Sequence, residues 1–282
     1  MRTGGLSRSY LLVVPEAGDG PVPLIVDLHG SGLDPYDQLR VSGSHRFAAR
    51  GAVVLAPSGA IPYRLMDGWP EGLAWNVPGT LLPGQQELPD MPDDVGFIAG
   101  LIEMLTSGGA GPGVRIDPQA VHLMGYSGGA RLACQVAAAV SHLASLGCVA
   151  GVRPPSGISS SSIAVLAIHS RDDPRNPYDG GAGPRWDVSV EDAVAGWARV
   201  SGCLPRPRSR TCKADVVELR YDPDGQGGPP VRLVTVPGVG HTWPGSRDAS
   251  HLSRFGPSGT FDATAHLWRF FTGQQQRTRP AT

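Results

Sequence analysis

Runs of aliphatic and β-branched residues alternate along the chain with segments of helical character, and Gly or Pro separates most of them. The apolar runs are YLLVV, PLIVDLH, AVVLAP, VHLMG, LGCVAGV, IAVLAIH and VRLVTVP. The helix candidates are 36–50, 93–106, 128–141, 189–200 and the segment TAHLWRFF. The middle runs are apolar at successive positions, as expected of parallel strands that are buried on both faces. The alternation predicts an α/β fold with a doubly wound, mostly parallel sheet and helices on both faces.

The length of 282 residues is compatible with one large α/β domain or with two small ones. No sequence feature requires a boundary, so we predict a single domain over 1–282 with its core at about 8–272. The stretches rich in Pro and Gly that interrupt the alternation are 60–92, 174–188 and 202–230. The first and third are predicted to be loop insertions. The last residues, 273–282, are predicted to be a disordered tail.

Charge and hydropathy argue against several classes of partner. The formal net charge is −1 and the charges are interspersed, so no surface for nucleic acid is predicted. No segment approaches the roughly 18 apolar residues of a membrane helix, so no membrane partner is expected. The N-terminal stretch has a four-residue apolar run before Pro15, whereas a signal peptide needs about 7 to 15 apolar residues. A cytoplasmic location is therefore expected, and the oligomeric state is left open.

The 4 cysteines have no C-x-x-C spacing, which argues against a zinc site or a redox motif. No metal or other cofactor is therefore expected. Cys134 and Cys148 lie in apolar context and are predicted core residues. Cys203 and Cys212 flank the segment LPRPRSRT, which a disulfide between them would close. A cytoplasmic location argues against such a bond, and the pairing stays open.

The stretch VHLMGYSGGARLACQ places Ser127 between an apolar run and a helix candidate. G-x-S-x-G at a strand-to-helix turn is typical of a nucleophile elbow, although the letters alone arise easily by chance in a Gly-rich chain. Gly125 and Gly129 would let strand and helix approach where a Cβ would clash. Ser127 is therefore the candidate nucleophile. The alternative is a glycine turn that contains an ordinary serine.

A serine nucleophile needs a base and a carboxylate that orients this base, and in this kind of fold they follow the serine along the chain. His241 follows the run VRLVTVP in a Gly-rich loop and is the candidate base. Asp172 and Asp173 both follow the run IAVLAIH, and their position alone does not distinguish them. His29 also follows a strand but precedes Ser127, so we interpret it as a structural histidine.

Two backbone N–H groups are expected to stabilise negative charge on the substrate oxygen. The candidates are Gly128, which follows the nucleophile, and Ser31 in the loop of LIVDLHGSGLD. The aromatic residues predicted to line a substrate pocket are Trp243, Trp75, Tyr178 and Trp69. Ordinary core packing is the alternative for each of them.

Six stretches carry a family resemblance, and they are LHGSG, DDVGFI, GYSGGA, DDPRNPYDGG, WARVSGC and GHTWPG. They resemble the polyhydroxybutyrate depolymerase-like α/β-hydrolases, which include feruloyl and acetylxylan esterases, and the similarity covers about 8–272. The resemblance implies the α/β-hydrolase fold and hydrolysis of a carboxylic ester without a cofactor. In this family the acid lies four residues after the histidine that ends the strand. That histidine is His169 here, so the resemblance implies Asp173 as the acid.

The chain departs from the family near the predicted site. Members often have Cys where Ser31 stands and Asn where Gly128 stands, and many are secreted. We therefore expect a soluble small-molecule ester as substrate, cleaved through an acyl-enzyme intermediate. The alternatives are a thioesterase or lactone hydrolase of specialised metabolism, or a hydrolase-like binding protein without catalysis.

Overall fold

The structure is a computed structural model, and the residues it describes are 2–3, 6–16, 20–80, 82, 90–111, 113–158, 163–212, 215–225 and 228–278. The strands are β1 Arg2–Thr3, β2 Leu6–Ser7, β3 Tyr10–Val13, β4 Val22–Leu28, β5 Val53–Pro57, β6 Ile61–Tyr63, β7 Gly72–Ala74, β8 Ile116–Tyr126, β9 Ser145–Val149, β10 Ala164–Ser170, β11 Arg208–Thr211, β12 Val217–Tyr221 and β13 Val231–Val236. The helices are α1 Pro35–Ser42, α2 Asp94–Gly108, α3 Gly128–Ala139, α4 Val190–Val200, α5 Ala249–Phe255 and α6 Ala263–Thr278. A 3-10 helix spans Ser44–Arg50.

Nine strands of the described chain form the main sheet, in the order β11-β12-β13-β10-β9-β8-β4-β5-β3. The neighbours from β13 across to β5 pair in parallel. The strands β12 and β11 extend one edge in antiparallel pairing, and β3 extends the other edge in the same way. Every apolar run that was predicted as a strand lies in this sheet. The predicted doubly wound, mostly parallel architecture is therefore confirmed.

Side chains of the parallel strands alternate between two apolar cores, one on each face of the sheet. In β4, for example, Leu24 and Val26 belong to one core and Ile25 belongs to the other. Helices α2, α3 and α4 pack on the first core, whereas α1 and α6 pack on the second. Strands that are buried on both faces have no polar side, which explains why their sequence runs are continuously apolar.

Three predictions about elements need correction. The helix predicted over 36–50 is interrupted at Gly43, whose φ of 64° lies in the left-handed region. The segment 202–230 contains β11 and β12 and is therefore not a simple loop. The segment 60–92 contains the hairpin formed by β6 and β7, although 81 and 83–89 lie outside the described residues.

The predicted C-terminal tail is helical in its first part, because α6 continues as far as Thr278. Disorder of the tail stays a prediction, and 279–282 lie outside the described residues.

All 4 cysteines lie within the described residues and are free thiols. Cys134 and Cys148 are buried, as predicted, with their Sγ atoms 3.6 Å apart. Cys203 is half-buried and Cys212 is exposed, and no disulfide joins them.

Within the described residues, none of the helices combines the length and the apolar character needed to cross a membrane.

A buried carboxylate, Asp27, joins the end of β4 to the first helix. It accepts hydrogen bonds from Gln38 Nε2 at 2.8 Å, from Ser42 Oγ at 2.8 Å and from Ser44 Oγ at 2.6 Å. Burial raises the pKa of Asp27 to about 6, although these three hydrogen bonds act to lower it. The cluster fixes α1 against the strand that carries the loop of Ser31.

We expect Asp27 to make the protein less stable as the pH rises from about 4 to about 6. The folded state holds the proton of this carboxyl over that range and the unfolded state has released it, so the free energy of unfolding falls as the proton is lost. The rise of the Asp27 pKa from 3.8 to about 6 corresponds to about 3 kcal/mol in the free energy of unfolding. Urea unfolding of wild type and Asp27→Asn at several pH values measures this contribution of Asp27 to the free energy of unfolding. The difference between the two proteins should change across this range, and a constant difference would contradict the prediction.

Candidate active site

Four predicted site residues lie on loops that follow parallel strands of the sheet. Ser31 follows β4, Ser127 follows β8, Asp173 follows β10 and His241 follows β13. The carboxyl ends of parallel strands share one edge of a sheet, so these loops meet there.

Ser127 occupies a sharp turn between β8 and α3. Its φ of 52° and ψ of −114° are unusual for a residue with a side chain, and its N–H donates to the carbonyl of Val149 at 2.9 Å. A Cβ on Gly125 would lie 2.5 Å from the carbonyl of Gly129, and this helix backbone cannot move aside to make room for it. The absence of a side chain at Gly125 lets β8 and α3 approach closely enough to hold Ser127 at the turn. This is the geometry of a nucleophile elbow.

A chain of hydrogen bonds connects Ser127, His241 and Asp173. His241 Nε2 lies 2.9 Å from Ser127 Oγ, and His241 Nδ1 lies 2.8 Å from Asp173 Oδ2. An ionised carboxylate only accepts hydrogen bonds, so Nδ1 carries the proton and Nε2 is left to accept one from the serine hydroxyl. The three predicted residues therefore stand in the relation that general-base activation of a serine requires.

Asp173 is held as an anion by its surroundings. Its side chain is fully buried, and its Oδ1 accepts from the N–H groups of Arg175 and Asn176, both at 2.8 Å. Burial acts to raise the pKa of Asp173, but the hydrogen bond and charge of His241, the charge of His169 and the N–H of Asn176 outweigh it. The pKa therefore lies below its usual value.

Asp172 points elsewhere. It is exposed, and its Oδ2 accepts from the N–H of Gly238 at 2.8 Å. The structure thus places Asp173 against His241, whereas Asp172 ties the loop after β10 to the loop after β13.

The backbones of Ser31 and Gly128 lie side by side next to Ser127. A Cβ on Gly128 would lie 3.3 Å from Ser31 N and would collide with Ser31 Oγ. Both predicted N–H donors are thus in one place, at the N-terminus of α3, whose dipole favours negative charge. The absence of a side chain at Gly128 leaves room for the hydroxyl of Ser31.

His29 stabilises the loop of Ser31 through hydrogen bonds to the backbone. Its Nδ1 donates to the carbonyl of Gly30 at 2.9 Å, and its Nε2 accepts from the N–H of Gly59 at 2.9 Å. Burial lowers the pKa of His29 to about 4, so the ring is neutral. These contacts agree with its interpretation as a structural histidine.

A cavity of about 270 Å³ opens next to Ser127 and His241. The remaining residues that line it are Ser31, Tyr63, Leu65, Leu82, Tyr126, Pro174, Arg175, Asn176, Arg185, Trp186 and Phe255. A larger cavity of about 920 Å³, lined by residues of α1, the 3-10 helix and 245–265, contacts none of the hydrogen-bonded triad. The smaller cavity is therefore the candidate site for a substrate.

The four aromatic residues predicted to line a substrate pocket do not line this cavity. Trp243 is fully buried, and its Nε1 donates to Thr264 Oγ1 at 2.9 Å. Trp75 is also buried, and its Nε1 donates to the carbonyl of His29 at 2.8 Å. Both indoles have their polar atom satisfied inside the protein and present no surface to a ligand, which corrects the prediction for them.

Tyr178 and Trp69 are likewise corrected. The hydroxyl of Tyr178 lies 2.8 Å from Thr235 Oγ1 and 3.0 Å from Glu191 Oε1, and the residue is buried. Trp69 packs edge-on against Phe255, with ring centroids 5.5 Å apart. It therefore contacts Phe255, which lines the cavity, but does not itself line it.

Tyr126 is a site residue that the sequence analysis missed, although it directly precedes the nucleophile. Its hydroxyl donates to the carbonyl of His241 at 2.6 Å, and the two ring centroids are 5.4 Å apart. These contacts fix the backbone and ring of His241 from the side of the cavity.

We expect Tyr126→Phe to lower kcat/KM about tenfold, because the carbonyl of His241 loses its buried donor and the imidazole is less well positioned. Loss of such a hydrogen bond also costs about 1–3 kcal/mol of folding stability. Tyr178→Phe is the matched control, since it removes a buried hydroxyl that lies outside the cavity. Steady-state kinetics should separate the two variants, and an equal loss of kcat/KM in both would contradict a positioning role.

No family model matches the chain. It is 30% identical over 268 residues to "Putative esterase NocK" of Nocardia uniformis subsp. tsuyamanensis, with 86% of this chain and 72% of that protein covered. Among solved structures it resembles an acetyl xylan esterase from Aspergillus awamori, with a TM-score of 0.54, 16% identity and coverage of 83% of this chain and 88% of that chain. It also resembles esterase PE8, with a TM-score of 0.55, 18% identity and coverage of 94% and 100% respectively.

The two structural similarities confirm the predicted α/β-hydrolase fold. The sequence similarity to NocK extends over most of both proteins. The chain therefore belongs to the esterase-like α/β-hydrolase family that includes NocK.

Proposed function

We propose that this protein is a serine esterase that hydrolyses a soluble carboxylic ester through an acyl-enzyme intermediate. The observation that carries the proposal is the unbroken chain of hydrogen bonds from Ser127 through His241 to Asp173, with lengths of 2.9 and 2.8 Å. It begins at the wall of a cavity that can admit a small ligand. The names of the family member and of the structural neighbours support the same reaction.

In the first half of the reaction, Ser127 Oγ attacks the acyl carbon while His241 Nε2 accepts the hydroxyl proton. The resulting oxyanion accepts hydrogen bonds from the N–H groups of Ser31 and Gly128. His241 then donates its proton to the oxygen of the leaving alcohol, and the ester bond breaks to give the acyl-enzyme.

In the second half, a water molecule replaces the alcohol and attacks the acyl carbon, with His241 again accepting the proton. Collapse of this intermediate releases the carboxylic acid and returns the proton to Ser127. Throughout both halves Asp173 stabilises the imidazolium form of His241 and keeps Nε2 directed at the reacting oxygen.

The size of the cavity favours a small ester over a polymer chain. Sites for drug-sized ligands usually occupy about 300–1,000 Å³, and this cavity of about 270 Å³ lies just below that range. We therefore propose a small soluble ester as the substrate class, in preference to a polyester.

A fluorophosphonate probe tests the mechanism, because it reacts with a serine that is activated beside an oxyanion hole. Intact protein is expected to be labelled once, and peptide mass spectrometry should locate the label on Ser127. In parallel, hydrolysis of acyl esters from acetyl to decanoyl, a feruloyl ester, a thioester and a lactone would define the preferred bond. Label on another residue, or activity that a chelator abolishes and zinc restores, would contradict the proposal.

A further inference from the structure

Two cationic side chains line the cavity beside Ser127. Among the described residues that line it, Arg175 and Arg185 carry positive charge and none is Asp or Glu. The rest of the lining is mainly aromatic and aliphatic. A ligand in this cavity therefore meets a positive field in a largely apolar enclosure, where charge interactions are stronger than in water.

Arg175 is tied to the triad through its backbone. Its N–H donates to Asp173 Oδ1 at 2.8 Å, so the backbone of Arg175 is fixed relative to the carboxylate that orients His241. The side chain of Arg175 therefore extends from a backbone position that is fixed close to the reacting atoms.

The guanidinium of Arg175 has apolar neighbours. Its Cζ lies 5.6 Å from the ring centroids of both Trp69 and Phe255, and its Nη2 lies 3.0 Å from Met66 Sδ. A thioether is a weak acceptor. None of the ion pairs formed within the described residues involves Arg175. The two aromatic rings and the thioether therefore hold the side chain in place, and the guanidinium N–H groups remain able to donate to a ligand.

Arg185 is anchored on the loop that precedes α4. Its Nη1 donates to the carbonyl of Thr80 at 2.9 Å, and its Cζ lies 5.5 Å from the ring of Trp186. The carbonyl of Arg185 accepts from Nη1 of Arg131 at 2.9 Å and from Nη1 of Arg153 at 3.2 Å. This part of the loop is thus fixed at several points against the body of the protein.

Arg185 stays charged at neutral pH. Burial lowers its pKa, Tyr63 acts to raise it and Arg153 acts to lower it further. The usual pKa of arginine is so high that the guanidinium remains protonated.

The acid of the triad does not provide a partner for the guanidinium of Arg175. Asp173 is fully buried, and its oxygens already accept from His241 and from two backbone N–H groups. A guanidinium binds a carboxylate through two parallel hydrogen bonds, which gives both affinity and orientation.

We propose that the preferred substrate is an ester that carries a carboxylate group, which Arg175 binds while Ser127 attacks the ester carbonyl and the positive charge of Arg185 attracts the anion to the same cavity. This inference rests on the proposed esterase function and names the substrate class of that site. The carboxylate belongs either to the acyl part, as in a half-ester of a dicarboxylic acid, or to the alcohol part, as in an ester of a hydroxy acid. The recognition chemistry is the same in both cases.

Two matched pairs of esters test the inference and distinguish the two positions. Monomethyl adipate against methyl hexanoate places the carboxylate on the acyl side, and 3-acetoxybenzoate against 3-acetoxybenzamide places it on the alcohol side. We expect kcat/KM to be at least about tenfold higher for the carboxylate ester of one pair. Added salt should reduce this ratio, because it screens the attraction.

The variants Arg175→Met and Arg185→Met should each bring the ratio toward one, and Arg175→Glu should bring it below one. Arg171→Met is the matched control, because Arg171 lies on the same loop but pairs with Asp179 and Glu191 outside the cavity. It should retain the wild-type ratio. Circular dichroism confirms that each variant is folded, and the salt dependence of the wild-type ratio provides a measurement that needs no variant.

A wild-type ratio at or below one in both pairs would overturn the inference, as would a ratio that Arg175→Met leaves unchanged. In these outcomes, hydrolysis of the neutral esters and labelling of Ser127 would leave the proposed function standing. Failure to hydrolyse any ester, together with failure to label Ser127, would overturn the proposed function and the inference with it.

Discussion

Ser127→Ala is expected to lower kcat for ester hydrolysis by a factor on the order of 10⁶, because no other group can form the acyl-enzyme. The cavity and the N–H groups of Ser31 and Gly128 would remain, so a small residual rate over water is expected. Fluorophosphonate labelling should disappear in the same variant. Ser107→Ala is a suitable control, since Ser107 is exposed at the end of α2 and remote from the cavity.

His241→Ala should cost about as much as Ser127→Ala, and the double variant should be no worse than either single variant. Residues that act as one unit show this lack of additivity, because the removal of one member already disables the unit. Single-turnover kinetics on the two single variants and the double variant measures the loss of rate in each. Losses that multiply in the double variant would mean that the two residues act independently, which would contradict the proposed mechanism.

The framework of the fold was predictable because burial on both faces leaves a clear sequence pattern. β10 lies in the middle of the sheet, and its residues are apolar up to His169, so the run IAVLAIH was recognised. Ser127 was recognised because a strand and a helix flank it directly. In both cases the signal is local in sequence.

Edge strands gave no such signal. All residues of β11 are exposed, and its sequence RSRT is polar throughout, so a segment rich in Pro and Arg was interpreted as a loop. It is a strand because it pairs with β12, whose residues Glu218 and Tyr221 are buried. This pairing depends on tertiary position and not on local composition.

The wall of the cavity was not predictable because proximity in sequence does not determine the direction of a side chain. Trp243 lies two residues after His241, yet its indole points to Thr264 in α6. Phe255 contributes to the wall from α5, and Arg175 does so from the loop after β10. The sequence marked 174–188 as an interruption of the pattern, but it did not indicate which of its side chains face the substrate.

Asp173→Asn is expected to lower kcat by about 10⁴, by analogy with other serine triads. The physical reason lies in the two backbone N–H groups of Arg175 and Asn176, which donate to Oδ1. They require an oxygen at that position, so the amide of the variant must place its nitrogen where Oδ2 now faces His241 Nδ1. The ring must then accept at Nδ1 and carry its proton on Nε2, where it can no longer receive the proton of Ser127.

Asp172→Asn is the matched control, one residue away and on the same loop. Asp172 is exposed, and an asparagine oxygen can still accept from the N–H of Gly238, so kcat should stay within about tenfold of wild type. Both variants are isosteric with wild type, and circular dichroism and thermal unfolding should find them folded. If Asp172→Asn suffered the large loss and Asp173→Asn did not, the orienting acid would be Asp172, while Ser127 and His241 would keep their proposed roles.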